Sequence, residues 1–218
     1  MPYSVAQSVA CNLVDTNQKV SVNLASQVAA IGYKSVIRYL PLPGVDPKGD
    51  IDAAEIDAIL NAGLAVLLVQ HVRFAGWNPA KFSGKTDALE AIEFAQAAGY
   101  LQGAHIYLDL EGISGTSAAT KQFAEDWSAA VVQTGFSAGC YVGFNVPLNA
   151  VQLYDLHNFH TYWAAPGPRS IATRGFAITQ KTPAITIGGV NFDADTLQAD
   201  KLGDTPFWMV NQAPAEVA

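Results

Sequence analysis

The sequence predicts an α/β fold, a (β/α)8 TIM barrel that becomes irregular in its last units, and three observations lead there. Short β-rich runs alternate with longer alanine-rich segments along most of the chain. Each repeat is about 30 residues long, the length of a strand and its right-handed crossover helix. The β-rich runs number eight, which favours a closed barrel over an open doubly wound sheet.

The elements follow in order. The run VACNLVD leads into the helical QKVSVNLASQVAAIG and then SVIRYL. IDAAEIDAILNAG precedes LAVLLVQ, KTDALEAIEFAQAAG precedes AHIYLDL, and SAATKQFAEDWSAAVVQTG precedes AGCYVGF. A shorter helix near PLNAVQLYDLH precedes FHTYWAA, and GFAITQ and GGVNFD complete the set with weaker connections. Four helix ends, AAIGY, LNAGL, QAAGY and VQTGF, carry glycine where the chain turns left-handed out of a helix. Asp50 and Asp87 stand near helix starts, where a carboxylate can cap free N–H groups and oppose the dipole. Ala88, Ala91, Ala95 and Ala98 form a small-residue stripe beside Leu89 and Ile92, which lets that helix lie close against a sheet. With no linker signature, residues 1–218 are expected to form one domain.

Bulk composition narrows the function. Half of the 218 residues are hydrophobic and 14% are charged, so the chain can bury a large core and is not disordered. No apolar run approaches the ~20 residues of a membrane span. The start, MPYSVAQSVACNL, lacks a basic segment followed by a long apolar one, so no Sec-type signal is expected in this sequence. A net charge of −7 without any basic run argues against a nucleic-acid partner. Cys11 and Cys140 have no metal or redox spacing and read as two small buried residues. Ser137 lies in GFSAG, which matches a hydrolase nucleophile elbow, but here the motif follows a helix and opens a strand, the reverse of what the elbow needs. There is no HExxH, P-loop or dinucleotide fingerprint, and no cofactor or metal is expected.

In a barrel, function gathers at the C-terminal strand ends. In IYLDLEG, Asp109 and Glu111 share one strand face with Tyr107 behind them, while Ile106, Leu108 and Leu110 point to the packed face. Two neighbouring acids are costly there unless they act. Further polar residues at strand ends are Asp15, Arg38, His71, Trp77, Tyr141, Trp163, Gln180, Asp193 and Asp195. Acids from the first, fourth and eighth strands around one mouth, with aromatic residues among them, fit glycoside hydrolysis: one carboxyl stays protonated to serve the leaving oxygen and another stabilises or attacks the cationic carbon. Trp77, Tyr141 and Trp163 can stack on pyranose rings. Plainer readings stand beside these. Asp109 can cap a loop, Asp193 and Asp195 can end a strand in solvent, and His71 can be a hydrogen-bonded rim residue. Arg38 is either a counter-ion for the acids or a substrate contact, and Trp163 is either core or stacking platform.

The ordered set LVDTN, VIRYLP, GKTDALEAIEFAQAAG, IYLDLEG, CYVGFN, YWAA, AITQ and VNFDAD, spanning about Asp15 to Asp195, resembles the glycoside-hydrolase-like domains long grouped as a family of unknown function. That group is similar to the family 25 glycoside hydrolases, the muramidase lysozymes. The IRYL strand and the helix start with Gly84, Asp87 and Ala88 match the former, and the DLE strand is shared in style with the latter. The resemblance implies a barrel cleaving peptidoglycan or a related amino-sugar polymer, with Glu111 as general acid and Asp109 as partner carboxylate. It also implies Asp15 and Asp193 as outer acids and Gln180 and Trp163 in the cleft lining, with the substrate's acetamido group available as nucleophile and no cofactor. CNLVDTN stands where the muramidases carry a longer GIDVS strand. The implied partner is a cell-wall glycan, reached outside the producing cytoplasm by lysis or a secretion machine. The rival expectation is a saccharide-binding or structural module that keeps the barrel without turnover.

Overall fold

The computed structural model describes residues 3–42 and 49–212. In chain order the elements are β1 (Tyr3–Gln7), β2 (Cys11–Thr16), α1 (Val22–Ile31), β3 (Ser35–Leu40), α2 (Ala53–Asn61), β4 (Ala65–Gln70), α3 (Gly84–Ala97), β5 (His105–Leu110), α4 (Ser117–Gln133), β6 (Ser137–Val142), α5 (Ala150–Tyr154), β7 (Phe159–Ala164), β8 (Ile178–Ile187), β9 (Val190–Leu197) and β10 (Phe207–Asn211).

Strands β2 to β9 close into an eight-stranded barrel. Seven run parallel from β2 through β8, and β9 is antiparallel to both neighbours, β8 and β2. The eight strands read from the sequence are these eight, and a helix follows each of the first five of them. The last units depart from a (β/α)8 pattern for a local reason. Only Gly188 and Gly189 separate β8 from β9, both at positive φ, and a two-residue connection can make only an antiparallel hairpin, because a parallel crossover needs a dozen residues or more. β8 also runs on beyond Gln180 to Ile187, with a register shift between Lys181 and Ile185.

Two strands lie outside the expectation. β1 and β10 pair antiparallel, and β10 meets β4 at Val66, below the point where β5 joins β4 at Leu68. Trp208 of β10 joins the apolar cluster inside the barrel and helps to close its floor.

The strands are buried on both faces, as parallel strands under helices are. Leu13, Ile37, Leu67, Val69, Tyr107 and Trp163 are among those that fill the barrel. Val36, Leu40, Ile106, Leu108 and Leu110 belong to the layer between sheet and helices, where each large aliphatic side chain contributes roughly 1.5–3 kcal/mol of burial. The alanine stripe of α3 is buried as expected. It serves helix–helix contact as well: a Cβ at Gly84 would collide with the Phe123 carbonyl of α4, so glycine sets how closely the two helices approach. Leu89, beside that stripe, is exposed.

The four glycines read as helix stops, Gly32, Gly63, Gly99 and Gly135, all have positive φ. The acid caps are corrected. Asp52 caps α2 by accepting from the Glu55 N–H, and Ser83 caps α3. Asp50 instead meets His71 Nε2 at 2.7 Å, and Asp87 takes the Arg73 guanidinium at 2.6 Å. Ser137 donates to the Gly103 carbonyl at 3.0 Å at the opposite end of the barrel from the mouth, a turn role. Cys11 and Cys140 are both free; Cys140 is buried and Cys11 only partly so. Among the described residues, no helix is long and apolar enough to cross a membrane.

Candidate active site

Strand alternation decides which side chains reach the barrel interior. On β5, Tyr107 and Asp109 point inward, and Glu111 follows at the rim, just past the last strand residue. On β2, Asp15 lies level with Asp193 of β9, and Asp195 lies two pairs deeper, level with Leu13. Asp193 sits near the mouth because β9 runs downward and the residue falls early in it. Gln180 of β8 faces Asp195 across the hairpin.

These groups form one polar network. Gln180 Nε2 donates to Asp15 Oδ2 at 3.1 Å and to Asp193 Oδ2 at 3.0 Å, while its Oε1 accepts from the Tyr141 hydroxyl at 3.1 Å. The Tyr39 hydroxyl donates to Asp15 Oδ1 at 3.4 Å. Deeper in, the Trp163 indole donates to Asp195 Oδ1 at 2.8 Å. Asp195 Oδ2 accepts no hydrogen bond from any other described residue; the Asp15 and Asp195 carboxyls lie within reach of each other, and a hydrogen bond between them requires a proton on one of them.

Burial controls the charge of this cluster. It pushes Asp15 up to about 7, against the hydrogen bonds from Asp195, Gln180 and Tyr39. It holds Asp195 well above the usual carboxylate range, reinforced by the Asp15 charge, and raises Asp193. Asp109, 5% exposed, is raised well above its ordinary value by burial and by the Glu111 and Asp15 charges. Its Oδ1 is buried without a hydrogen-bond partner. Glu111 is the more open carboxyl. Burial raises it too, while the Phe144 N–H and the Arg169 guanidinium pull it back. Its backbone is anchored, since the Trp77 indole donates to the Glu111 carbonyl at 2.8 Å. Gly143 leaves the space that its side chain needs, because a Cβ there would fall on Glu111 Cβ and Oε2. Among the described residues, no group of three or more His, Cys, Asp and Glu is arranged to hold a metal ion.

The structure thus brings Asp15, Asp109, Glu111, Tyr141, Gln180 and Asp193 to one mouth. It separates others from it. Arg38 is 0% exposed and points outward from β3, toward Glu55 (Nε to Oε1, 2.5 Å) and the Thr16 and Gly49 carbonyls. It is neither counter-ion to the mouth acids nor open to a ligand. Trp77 is buried edge-on against Phe123 at 5.1 Å and supports Glu111 rather than offering a stacking face. Trp163 is 1% exposed, T-shaped to Tyr141 at 4.5 Å, and serves the core reading. His71 is a rim residue, paired with Asp50 and tilted on Tyr39 at 4.7 Å. The sequence reading gave no site role to Tyr39, Gly143, Phe144 and Arg169, and placed Asp195 only among the strand-end acids. For Tyr39 the available signal was parity, since either it or Arg38 must face inward, and for Asp195 its same-face spacing from Asp193.

The sequence profile of the Rv2525c-like, glycoside hydrolase-like domain family matches residues 26–184, and the chain belongs to that family. No curated protein matches the sequence. Among solved structures, the Tat-secreted protein Rv2525c of Mycobacterium tuberculosis, in complex with L-tartrate, superposes with a TM-score of 0.66 at 19% identity, over 89% of this chain and 98% of that one. The lysozyme of Streptomyces coelicolor gives 0.62 at 17% identity, over 87% and 93%. The modular autolysin LytC of Streptococcus pneumoniae, in complex with a synthetic peptidoglycan ligand, gives 0.60 at 16%, over 86% of this chain and 46% of LytC. At these identities the likeness is one of fold.

Proposed function

We propose that this chain is a glycoside hydrolase of peptidoglycan or a related amino-sugar polymer, with Glu111 as general acid and Asp109 as partner carboxylate. The observation that carries this reading is the Asp109–Glu111 pair. Two carboxyls on one strand face differ in openness, and burial favours the protonated form of both. A protonated, accessible Glu111 delivers its proton to the leaving oxygen as the glycosidic bond breaks. Asp109 Oδ1, an acceptor without a donor, suits the N–H of an acetamido group, which positions the acetamido oxygen for attack on the anomeric carbon. Asp15 and Asp193, tied together by Gln180, form the wall that orients the sugar. Tyr141 reaches the same wall through Gln180. The cell-wall enzymes and the secreted protein among the structural neighbours support an extracytoplasmic site of action.

A second reading, a saccharide-binding module without turnover, is favoured by one observation. Asp109 is only 5% exposed and its Oδ1 is buried, so the pair presents a single open carboxyl, Glu111, at the mouth. The test separates the two. Wild type and Glu111→Gln are incubated with purified peptidoglycan, and the soluble products are read by mass spectrometry. The hydrolase reading expects muropeptides with a new reducing end from wild type alone. Release from neither protein, across several peptidoglycan types, overturns it, and binding without release moves the chain to the second reading.

A further inference from the structure

We propose that the groove beside Glu111, between the segments that follow β6 and β7, is a subsite for a saccharide unit bearing a carboxylate, which Arg169 reads against the open face of Phe144. The proposal rests on the glycan reading of the mouth and specifies which glycan the site prefers.

The groove has a volume of about 530 Å³ and is walled by Gly143–Asn149 on one side and Pro166–Ser170 on the other. That volume lies within the range of small-ligand sites. Its wall touches the mouth: Gly143 packs on the Glu111 side chain, and the next residue, Phe144, gives its N–H to the Glu111 carboxyl. Leu148 and Leu153 supply apolar floor. Phe144 is 56% exposed and lines the groove, so its ring face is open to a ligand there. The Arg169 guanidinium lies 4.8 Å from the centre of the Phe144 ring.

Arg169 is the distinctive group. The chain has four arginines. Arg38 is ion-paired with Glu55, Arg73 with Asp87, and Arg174 with Asp200 and Asp204. Among the described residues, Arg169 has no carboxylate within ion-pairing distance. It donates instead to three carbonyls, from Nε to Gly143 at 3.0 Å and from Nη1 to Ala165 at 3.4 Å and Pro166 at 2.5 Å. Those bonds fix the fork in place without neutralising its charge, and Nη2 has no acceptor among the described residues. A guanidinium held by carbonyls and laid against an aromatic ring is pre-organised for a carboxylate. In a chain of net charge −7, Arg169 is, among the described residues, the arginine held by carbonyls instead of an ion pair, and its charge reaches Glu111 at the mouth. A neutral sugar would use the Phe144 face and leave the cation idle, whereas an acidic sugar uses both.

The test uses the Glu111→Gln protein, which retains ligand without cleavage, and calorimetric titration with two tetrasaccharides. One is the neutral N-acetylglucosamine tetramer. The other alternates N-acetylglucosamine with N-acetylmuramic acid and carries lactyl carboxylates. The proposal expects the acidic probe to bind about tenfold more tightly, the value of one charge-assisted contact, and to weaken as salt rises. Adding Arg169→Gln makes the two probes bind alike. Because that variant also loses loop contacts, Phe144→Ala is measured beside it and is expected to weaken both probes while the acidic preference survives. Equal affinity for the two probes, a preference that survives Arg169→Gln, or binding of neither probe overturns the proposal. Turnover plays no part in these titrations. Acidic preference without product release from peptidoglycan would leave the subsite standing and remove the hydrolase reading.

Discussion

Replacing Asp15 by asparagine tests whether the mouth is built from carboxyls that burial keeps protonated. Asp15 rises from an ordinary 3.8 to about 7 in the fold, chiefly through burial. At about 1.4 kcal/mol per pKa unit, ionising it in the folded chain costs about 4 kcal/mol more than in the unfolded one. The sign follows from proton binding. Between the two values the folded state holds a proton that the unfolded state has released, so stability falls as pH rises. The contribution is fully present below 3.8 and is lost by the time pH passes about 7. Asparagine has no proton to lose, keeps the shape, and retains an oxygen to accept from Gln180. Relative to wild type, Asp15→Asn should therefore gain up to about 4 kcal/mol between about pH 4 and pH 8. For a chain of this size that is a relative rise of about 8–16 °C in Tm. Denaturant unfolding of both proteins across that pH range provides the measurement. Asp109, Asp193, Asp195 and Glu111 titrate in both proteins, so the difference isolates Asp15 and its coupling to its neighbours. A stability difference that stays flat, or that moves against the variant as pH rises, refutes the reasoning.

Two further outcomes are expected. Gly143→Ala places a Cβ on the Glu111 side chain and, by displacing a reacting carboxyl, should lower glycan turnover by about 100-fold. Circular dichroism should stay near wild type while overpacking costs about 1–3 kcal/mol of stability; wild-type turnover in the folded variant would count against Glu111 as the acid. Arg38→Gln leaves Glu55 buried without its ion partner, which should cost roughly 3–5 kcal/mol in denaturant unfolding. Glycan binding by the folded fraction should be unchanged, and a selective loss of binding with stability intact would return Arg38 to the site.

Much of the barrel is legible locally. The helical segments with their glycine stops, and the eight runs that became β2 to β9, are set by periodicity and backbone preference, which act over a few residues. That Tyr107 and Asp109 share one face follows from strand alternation alone. Arg38 shows where that legibility ends. On a strand buried on both faces, Val36, Ile37 and Leu40 are all apolar and do not reveal which parity faces the barrel. The direction of β9 was readable in principle, because Gly188–Gly189 admits only a hairpin, but it matters only once β9 has closed the sheet against β2.

By itself, then, the sequence determined the order and kind of the central elements, the carboxyl pair on β5, and the residue types available at the strand ends. Only the tertiary structure decided which of them meet. Asp15 and Asp193 become cross-strand partners through closure between β2 and β9, residues far apart in the chain. That same closure removes water from the acids and raises their pKa values. Arg169 is distinguished from the other arginines only by what the fold leaves beside it. Chain-local forces choose helix or strand, whereas proximity and burial, which set protonation and recognition, exist only after long-range packing is complete.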